Sequence, residues 1–136
     1  MEASALRKKI EKALREYFVN YKAARLVFLM GSYAKGTARD ESDVDVAVLF
    51  DQFPDANQVA NLREALTLLL RKDVDLVLLN SAGPVIRMQA LKNGLVIHRG
   101  KNAYEEYFTR TLNEYSDLKF FRKEAEEKIL GRRIYA

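Results

Sequence analysis

The sequence predicts an α/β (α+β) fold, in which a short mixed sheet of about four strands is flanked by helices and a long helix ends the chain. Three observations predict this fold: a length of 136 residues with 49% hydrophobic content, four short β-rich runs, and helical periodicity between those runs. Domains have roughly 100–200 residues. We therefore expect residues 1–136 to form a single domain, with a core over about 24–100 and a helical tail over about 102–131.

The individual elements follow from the spacing of apolar residues along the chain. Residues 6–18 have helical spacing, and residues 26–30 form a β-rich run that stops at Gly31. A polar loop over 31–42, with room for one helical turn, leads to an alternating strand over 44–50. The remaining pattern predicts, in order, a helix over 59–70, a strand over 74–79, a helix over 84–93 and a strand over 95–98.

The third of these strands is almost continuously apolar, which is typical of a strand covered on both faces. We expect it in the centre of the sheet. Residues 103–130 predict one long helix, or two, with an aromatic stripe that packs mainly on the sheet and leaves some rings exposed for a partner. The stripe consists of Tyr104, Tyr107, Phe108, Tyr115, Phe120 and Phe121.

Composition excludes several classes of protein. The chain has no Cys, so it has neither a disulfide framework nor a thiolate metal site. Its apolar runs are far shorter than the ~20 residues of a membrane span, and its start lacks a signal-peptide pattern, so we expect a cytoplasmic protein without membrane contact. The net charge of +4 is mild, and the charges mostly alternate in sign, so we do not expect stable nucleic-acid binding.

Two short motifs in the first half of the chain point to chemistry on a phosphate. Gly31 and Ser32 directly follow a predicted strand, where glycine allows a sharp turn and the hydroxyl and nearby N–H groups can bind phosphate oxygens. Asp43 and Asp45 are two residues apart on the next strand, so both carboxylates leave the same face. Carboxylate oxygens in this arrangement are the ligands that Mg²⁺ prefers.

A third acid interrupts the apolar strand that follows. Asp75 stands between Val74 and Leu76, where an isolated buried carboxylate would be costly unless it meets a cation or emerges at a site. If this strand lies beside the one with Asp43 and Asp45, the three acids can hold two divalent ions ~3.5–4 Å apart, as in phosphoryl and nucleotidyl transfer. Asp73 is the alternative third ligand, whereas His98, the single histidine, is expected to have a packing or surface role.

Together these residues resemble a known signature. The segment Gly31-Ser32-Tyr33-Ala34-Lys35-Gly36 and the later Asp43-Val44-Asp45, with ten residues between Ser32 and Asp43, are similar to the GS-x10-D-x-D motif of the polymerase-beta-like nucleotidyltransferase superfamily. With its short length and the strand that carries Asp75, the chain looks most like the minimal nucleotidyltransferases of that superfamily, the MNT or MntA antitoxin type. The resemblance covers residues 26–99 well.

The resemblance implies the fold, the reaction and the partner. It implies that MgATP is the AMP donor, that Gly31, Ser32 and Lys35 bind its phosphates, and that Asp43, Asp45 and Asp75 are the catalytic, metal-binding residues. Asp75 would also be the general base. Lys35 departs from the family, which often has Arg in this loop and with it a bidentate phosphate contact. The implied partner is a HEPN-family toxin (HepT) of a type VII toxin–antitoxin module, modified on a tyrosine hydroxyl.

Two alternative functions remain open from the sequence. The acceptor of the nucleotide could be a small molecule or an RNA end, although 136 residues leave little room for a separate acceptor domain. The chain could instead be a non-catalytic module that neutralises a toxin by masking it. The intact set of Gly31, Ser32, Asp43, Asp45 and Asp75 argues against the masking alternative.

Overall fold

The computed structural model describes the backbone of residues 2–134 and the side chains of residues 4–120 and 122–128. Helices and strands follow the predicted order, and the predicted helical turn in the first loop is present as a short helix. The elements are α1 (Glu2–Val19), β1 (Ala24–Met30), α2 (Gly31–Lys35), β2 (Val44–Phe50), α3 (Ala56–Leu70), β3 (Val74–Leu78), α4 (Pro84–Asn93), β4 (Leu95–Arg99) and α5 (Ala103–Ile134).

The four strands form one mixed sheet in the order β3-β2-β1-β4. Strand β1 is antiparallel to both β2 and β4, and β2 is parallel to β3. The register aligns Met30 with Asp45, and Asp45 with Asp75. The end of β1 and the starts of β2 and β3 therefore meet at one end of the sheet. This confirms the fold class and the predicted adjacency of the two acid-bearing strands.

The prediction that the strand over 74–79 is central was wrong. Strand β3 lies at an edge and pairs only with β2 among the described strands. Its apolar residues are explained by helical cover, since Leu76 and Leu78 pack against one core and Val77 against the other. A continuous apolar run indicates that both faces of a strand are covered. It does not indicate whether the strand has a neighbour on one side or on both.

Each face of the sheet has its own apolar core. On one face, α1 and α3 pack over the side chains of β2 that alternate inward, with Leu14, Phe18 and Leu66 fully buried. On the other face, α4 and the first half of α5 cover Phe28 and Ala47. Cover on both faces fixes the register of β2, because a slip of one residue would exchange the two sets of side chains.

Helix α5 is continuous, and among its described side chains only those of the first part pack on the domain. Its buried residues are Ala103, Tyr107 and Thr111, whereas every described side chain from Lys119 to Lys128 is exposed. The aromatic stripe is accordingly divided: Tyr107 is buried, Tyr104 and Tyr115 are half-buried, Phe108 and Phe120 are exposed, and the Phe121 side chain lies outside the described residues. Within the described residues, none of the helices has the length and apolar character needed to cross a bilayer.

Candidate active site

The candidate site begins where β1 ends and the chain turns into α2. Gly31 has a φ of +64°, a backbone conformation that costs a side-chain-bearing residue about 1–3 kcal/mol. The residue before it, Met30, gives no side-chain cap to α2. The first N–H groups of this helix therefore receive no hydrogen bond from the side chain of Met30.

Gly31 is required by a close approach as well as by its backbone angle. A Cβ atom built on this residue would lie 2.1 Å from Oδ2 of Asp45, far inside van der Waals contact. The carboxylate of Asp45 thus occupies the space that any other residue at position 31 would fill. The turn after β1 and the start of β2 are in contact, as the pairing of Met30 with Asp45 requires.

The three predicted carboxylates interact electrostatically. The pKa of Asp45 is raised above its ordinary value, first by burial, then by the charges of Asp75 and Asp43, and by a side-chain hydrogen bond with Asp75. Asp73 has no part in this effect. It is exposed and precedes β3, where its carbonyl accepts a hydrogen bond of 2.9 Å from the N–H of Val44. The structure therefore brings Asp75, and not Asp73, to Asp45.

The negative charge of this cluster is not balanced by the protein. Asp43 and Asp75 are exposed, Asp45 is half-buried, and none of the three forms an ion pair with a lysine or arginine of the described residues. Among the described residues, no group of three or more His, Cys, Asp or Glu is arranged so that it could already hold a metal ion. Asp43, Asp45 and Asp75 are nevertheless hard oxygen donors with the charge that suits a divalent ion, so their chemistry fits Mg²⁺.

The remaining predicted residues lie along α2 and differ in position. Ser32 is half-buried next to Gly31, and its hydroxyl has no hydrogen-bond partner among the described residues. Lys35 is exposed in the last turn of α2, at the opposite end from the Gly31 turn, and it forms no ion pair within the described chain. Position favours Ser32 over Lys35 as a phosphate ligand. His98 lies on β4, at the far edge of the sheet from Asp75.

Two contacts that sequence reasoning missed hold the loop between α2 and β2. Tyr33 is fully buried and donates from its hydroxyl to the carbonyl of Arg39 at 3.5 Å, and Lys72 donates to the carbonyl of Asp40. Ser42 closes the same turn by accepting the N–H of Arg39 at 2.8 Å. Both missed contacts join the loop to residues that no local pattern relates to it, so no sequence signal was available. They position Asp43, which follows directly.

Comparisons with known proteins agree with this geometry. A family model described as Polymerase beta, Nucleotidyltransferase matches residues 12–103. Protein adenylyltransferase MntA of Shewanella oneidensis is 32% identical over 123 residues, which cover 90% of this chain and 86% of that protein.

Two solved structures are similar over most of their length. A chain in a crystal structure of a toxin–antitoxin with AMP-PNP has 31% identity and a TM-score of 0.71, with 91% of this chain and 98% of that chain covered. A chain in the structure of the tri-AMPylated Shewanella oneidensis HEPN toxin in complex with MNT antitoxin has 28% identity and a TM-score of 0.66, with 94% and 98% covered. The chain therefore belongs to the polymerase-beta nucleotidyltransferase family and, within it, to the minimal nucleotidyltransferases of the MntA type.

Proposed function

We propose that this nucleotidyltransferase is a magnesium-dependent protein adenylyltransferase and the antitoxin of a type VII toxin–antitoxin module. It transfers AMP from ATP to a tyrosine hydroxyl of a HEPN-family toxin (HepT), an activity that fits the expected cytoplasmic location. One observation carries the proposal: Asp45 lies against the Gly31 turn and interacts with Asp43 and Asp75, and none of the three forms an ion pair with a cation of the described residues. The similar MntA protein is named a protein adenylyltransferase, and the similar structures contain AMP-PNP or a tri-AMPylated HEPN toxin, which supports this choice of donor and acceptor.

Asp43 and Asp45 would hold the magnesium, with Asp75 completing the ligand set for two ions. The metal, when bound, supplies positive charge that neutralises the triphosphate and the cluster itself. Without such charge, the pKa of Asp45 is raised by burial and then by the charges of Asp75 and Asp43. The repulsion among the three carboxylates would therefore be replaced by attraction to the metal when the metal–nucleotide complex binds. This favours binding of the nucleotide together with its metal.

The end of α2 nearest to Asp45 would bind the phosphates. Gly31 lets the backbone approach without a Cβ, and the hydroxyl of Ser32 is available to a phosphate oxygen. The first N–H groups of α2 add donors of the kind that binds phosphate at helix starts. Lys35 is exposed, and its ammonium group would make a weaker contact to the triphosphate than the bidentate contact of an arginine.

Asp75 would accept the proton of the attacking hydroxyl. In the reaction the acceptor oxygen forms a bond to the α-phosphorus, the bond from that phosphorus to the pyrophosphate oxygen breaks, and pyrophosphate leaves. A general base must lie within hydrogen-bond reach of the acceptor oxygen. Asp75 is exposed on an edge strand while interacting with Asp45, so it can meet an acceptor that arrives from outside and the nucleotide at the same time.

The test uses the protein that the neighbouring gene encodes, which we expect to be a HEPN-family toxin. Its mass is measured after incubation with MgATP and the chain. We expect mass increments of one AMP, located on tyrosine, and their loss with Asp45→Asn. Asp117→Asn is the matched control, because Asp117 is an exposed acid on α5 outside the site, and it should react like the wild type. Circular dichroism should show that both variants are folded.

Other outcomes would contradict the proposal in identifiable ways. An unmodified toxin whose ribonuclease activity is still inhibited would show neutralisation by masking. An unmodified toxin together with labelled AMP on an RNA end or a small molecule would show that the acceptor class is wrong. Retention of full activity by Asp45→Asn would remove the carboxylate cluster from the mechanism.

A further inference from the structure

One edge of the sheet is open and lies next to the candidate active site. Strand β3 pairs with β2 alone among the described strands, so its other side presents backbone groups without a sheet partner. The N–H of Val44 donates to the carbonyl of Asp73, and the N–H of Leu79 donates to the carbonyl of Val48, both at 2.9 Å. These two bonds mark the two ends of the ladder between β2 and β3.

The ladder determines which backbone groups face outward. Alternate residues of a strand bond to the same neighbour in a parallel pair, so Asp75 and Val77 direct their N–H and carbonyl groups to β2. Val74, Leu76 and Leu78 direct theirs to the open edge. Of these, only the carbonyl of Leu78 is used elsewhere, by the N–H of Ser81 at 3.3 Å. The open edge therefore offers a row of donors and acceptors roughly 16 Å long.

A groove lies between α3 and the end of β3, where Leu78 is the β3 residue that lines it. Its volume is about 770 Å³. Two of its lining residues are large and strongly exposed, Phe53 at 69% and Leu68 at 72%, and Pro54, Val59 and Leu78 add further apolar surface. Exposed apolar surface of this kind next to free strand hydrogen bonds is what an added strand covers when it inserts alternate side chains into such a groove.

We propose that β3 binds an extended segment of the acceptor protein as an additional strand, and that this segment carries the target hydroxyl. Side chains on an added strand alternate between the two faces of the sheet. One set would lie on the face where Leu76 and Leu78 pack against the core, and would reach the groove at Leu78. The other set would lie on the face of Asp75, which shares its register position with Asp45. Docking and catalysis thus use the two faces of one strand.

The occupant of the open edge follows from its position, because the same strand carries Asp75, the proposed general base. A second copy of the chain could also pair with the open edge, but its strand would then exclude the acceptor segment from the strand that carries Asp75. A flexible segment of the substrate protein instead brings its hydroxyl to the base as it pairs. The inference rests on the proposed function, because the segment is defined as the part of the protein that receives AMP.

Edge pairing can be tested with a backbone variant and its matched control. Leu76→Pro removes one outward N–H and places a ring on the edge, a position where strands tolerate proline. Leu76→Ala shortens the same side chain but keeps the N–H. With the adjacent HEPN protein as acceptor, we expect Leu76→Pro to raise the KM for that protein about tenfold relative to Leu76→Ala, while the KM for ATP stays the same.

The groove needs a separate pair of variants, because Leu76→Pro could lower stability. Leu68→Glu places a charge in the groove, and Val19→Glu places the same charge on an equally exposed apolar residue of α1, at 70%. We expect a raised KM for the HEPN protein with Leu68→Glu only. In hydrogen exchange measured by NMR, the amides of Val74 and Leu76 should exchange fast in the free protein and become protected when the HEPN protein is added.

The outcomes separate the two proposals. If the wild type adds no AMP to the HEPN protein, the proposed function fails. If the wild type modifies that protein, but both test variants keep the KM of their controls and the β3 amides gain no protection, edge docking is wrong and the proposed function stands. Protection of the same amides that grows with concentration in the absence of the HEPN protein would identify a second copy as the occupant and overturn the proposal.

Discussion

Two polar clusters of this small protein differ in how their charges are compensated. At the start of β2 and β3, Asp43, Asp45 and Asp75 lie together without an ion pair to the described residues. Between α4 and α5, Arg87 is only 8% exposed in its side chain and forms an ion pair of 3.1 Å with Glu114. Its guanidinium also lies 5.0 Å from the ring centre of Tyr107.

The comparison distinguishes a structural cluster from a functional one. In the helix cluster the charges are paired, although Nε of Arg87 is buried without a hydrogen-bond partner. The hydroxyl of Tyr107 donates to the carbonyl of Arg87 at 2.8 Å, and burial raises the pKa of this tyrosine to about 12, so it stays protonated. In the carboxylate cluster the protein leaves like charges together, which lowers its own stability. Such an arrangement is typical of a candidate functional site, where a ligand can supply the missing positive charge.

The largest expected effect comes from closing the space in front of the carboxylates. Gly31→Ala would place a Cβ 2.1 Å from Oδ2 of Asp45, at a φ of +64°. We expect AMP transfer to fall about 100-fold or more, since misplacement by about 1 Å is enough for that loss. Steady-state transfer assays measure it, with Gly83→Ala as control, because a Cβ at Gly83 meets no atom within 4 Å. Equal activity of the two variants would contradict the site geometry.

The helix cluster should respond in stability and not in chemistry. Arg87→Met removes the partner of Glu114 from a nearly buried position, and we expect the free energy of unfolding to fall by about 2–3 kcal/mol. The cost lies below that of a fully buried pair, because Glu114 is 36% exposed and keeps an ion pair of 3.0 Å with Arg110.

Urea denaturation measures the effect of Arg87→Met, and transfer by the folded variant should equal that of the wild type. Arg110→Met removes the exposed partner of the same glutamate, at 73% side-chain exposure, and should change stability by less than about 1 kcal/mol. A variant of Arg87 that is stable but inactive would show that this cluster takes part in the reaction.

The smallest expected effect is on the pH dependence of stability. The folded-state pKa of Asp45 is raised above 3.8, so the stability contributed by its protonated form is present below that value and lost as the pH rises through the raised pKa. Asp45→Asn cannot ionise. We therefore expect the free energy of unfolding of this variant, measured without divalent metal, to exceed that of the wild type increasingly as the pH rises above about 4. A constant difference across that range would mean that the folded-state pKa of Asp45 is not raised.

How far the sequence predicts this molecule depends on the range of the interaction. The adjacency of Asp45 and Asp75 was predictable. The alternation of apolar and polar residues places Asp45 on one face of its strand, and chain order places Asp75 on the neighbouring strand. The edge position of β3 was not, since its apolar residues report helical cover only. The contact of Tyr33 with Arg39, and the ion pair of Arg87 with Glu114, join segments that have no shared local pattern and depend on the assembled fold.

The most direct test of the central claim is an NMR measurement with Mn²⁺ as a paramagnetic substitute for Mg²⁺. With a non-hydrolysable ATP analogue present, it identifies the residues whose amide signals Mn²⁺ broadens. We predict broadening first at Gly31, Ser32, Asp45 and Asp75, and its loss in Asp45→Asn. Broadening confined to the acidic side of α5, around Glu105 and Asp117, would contradict the account, because the unbalanced carboxylates would then not be the metal–nucleotide site.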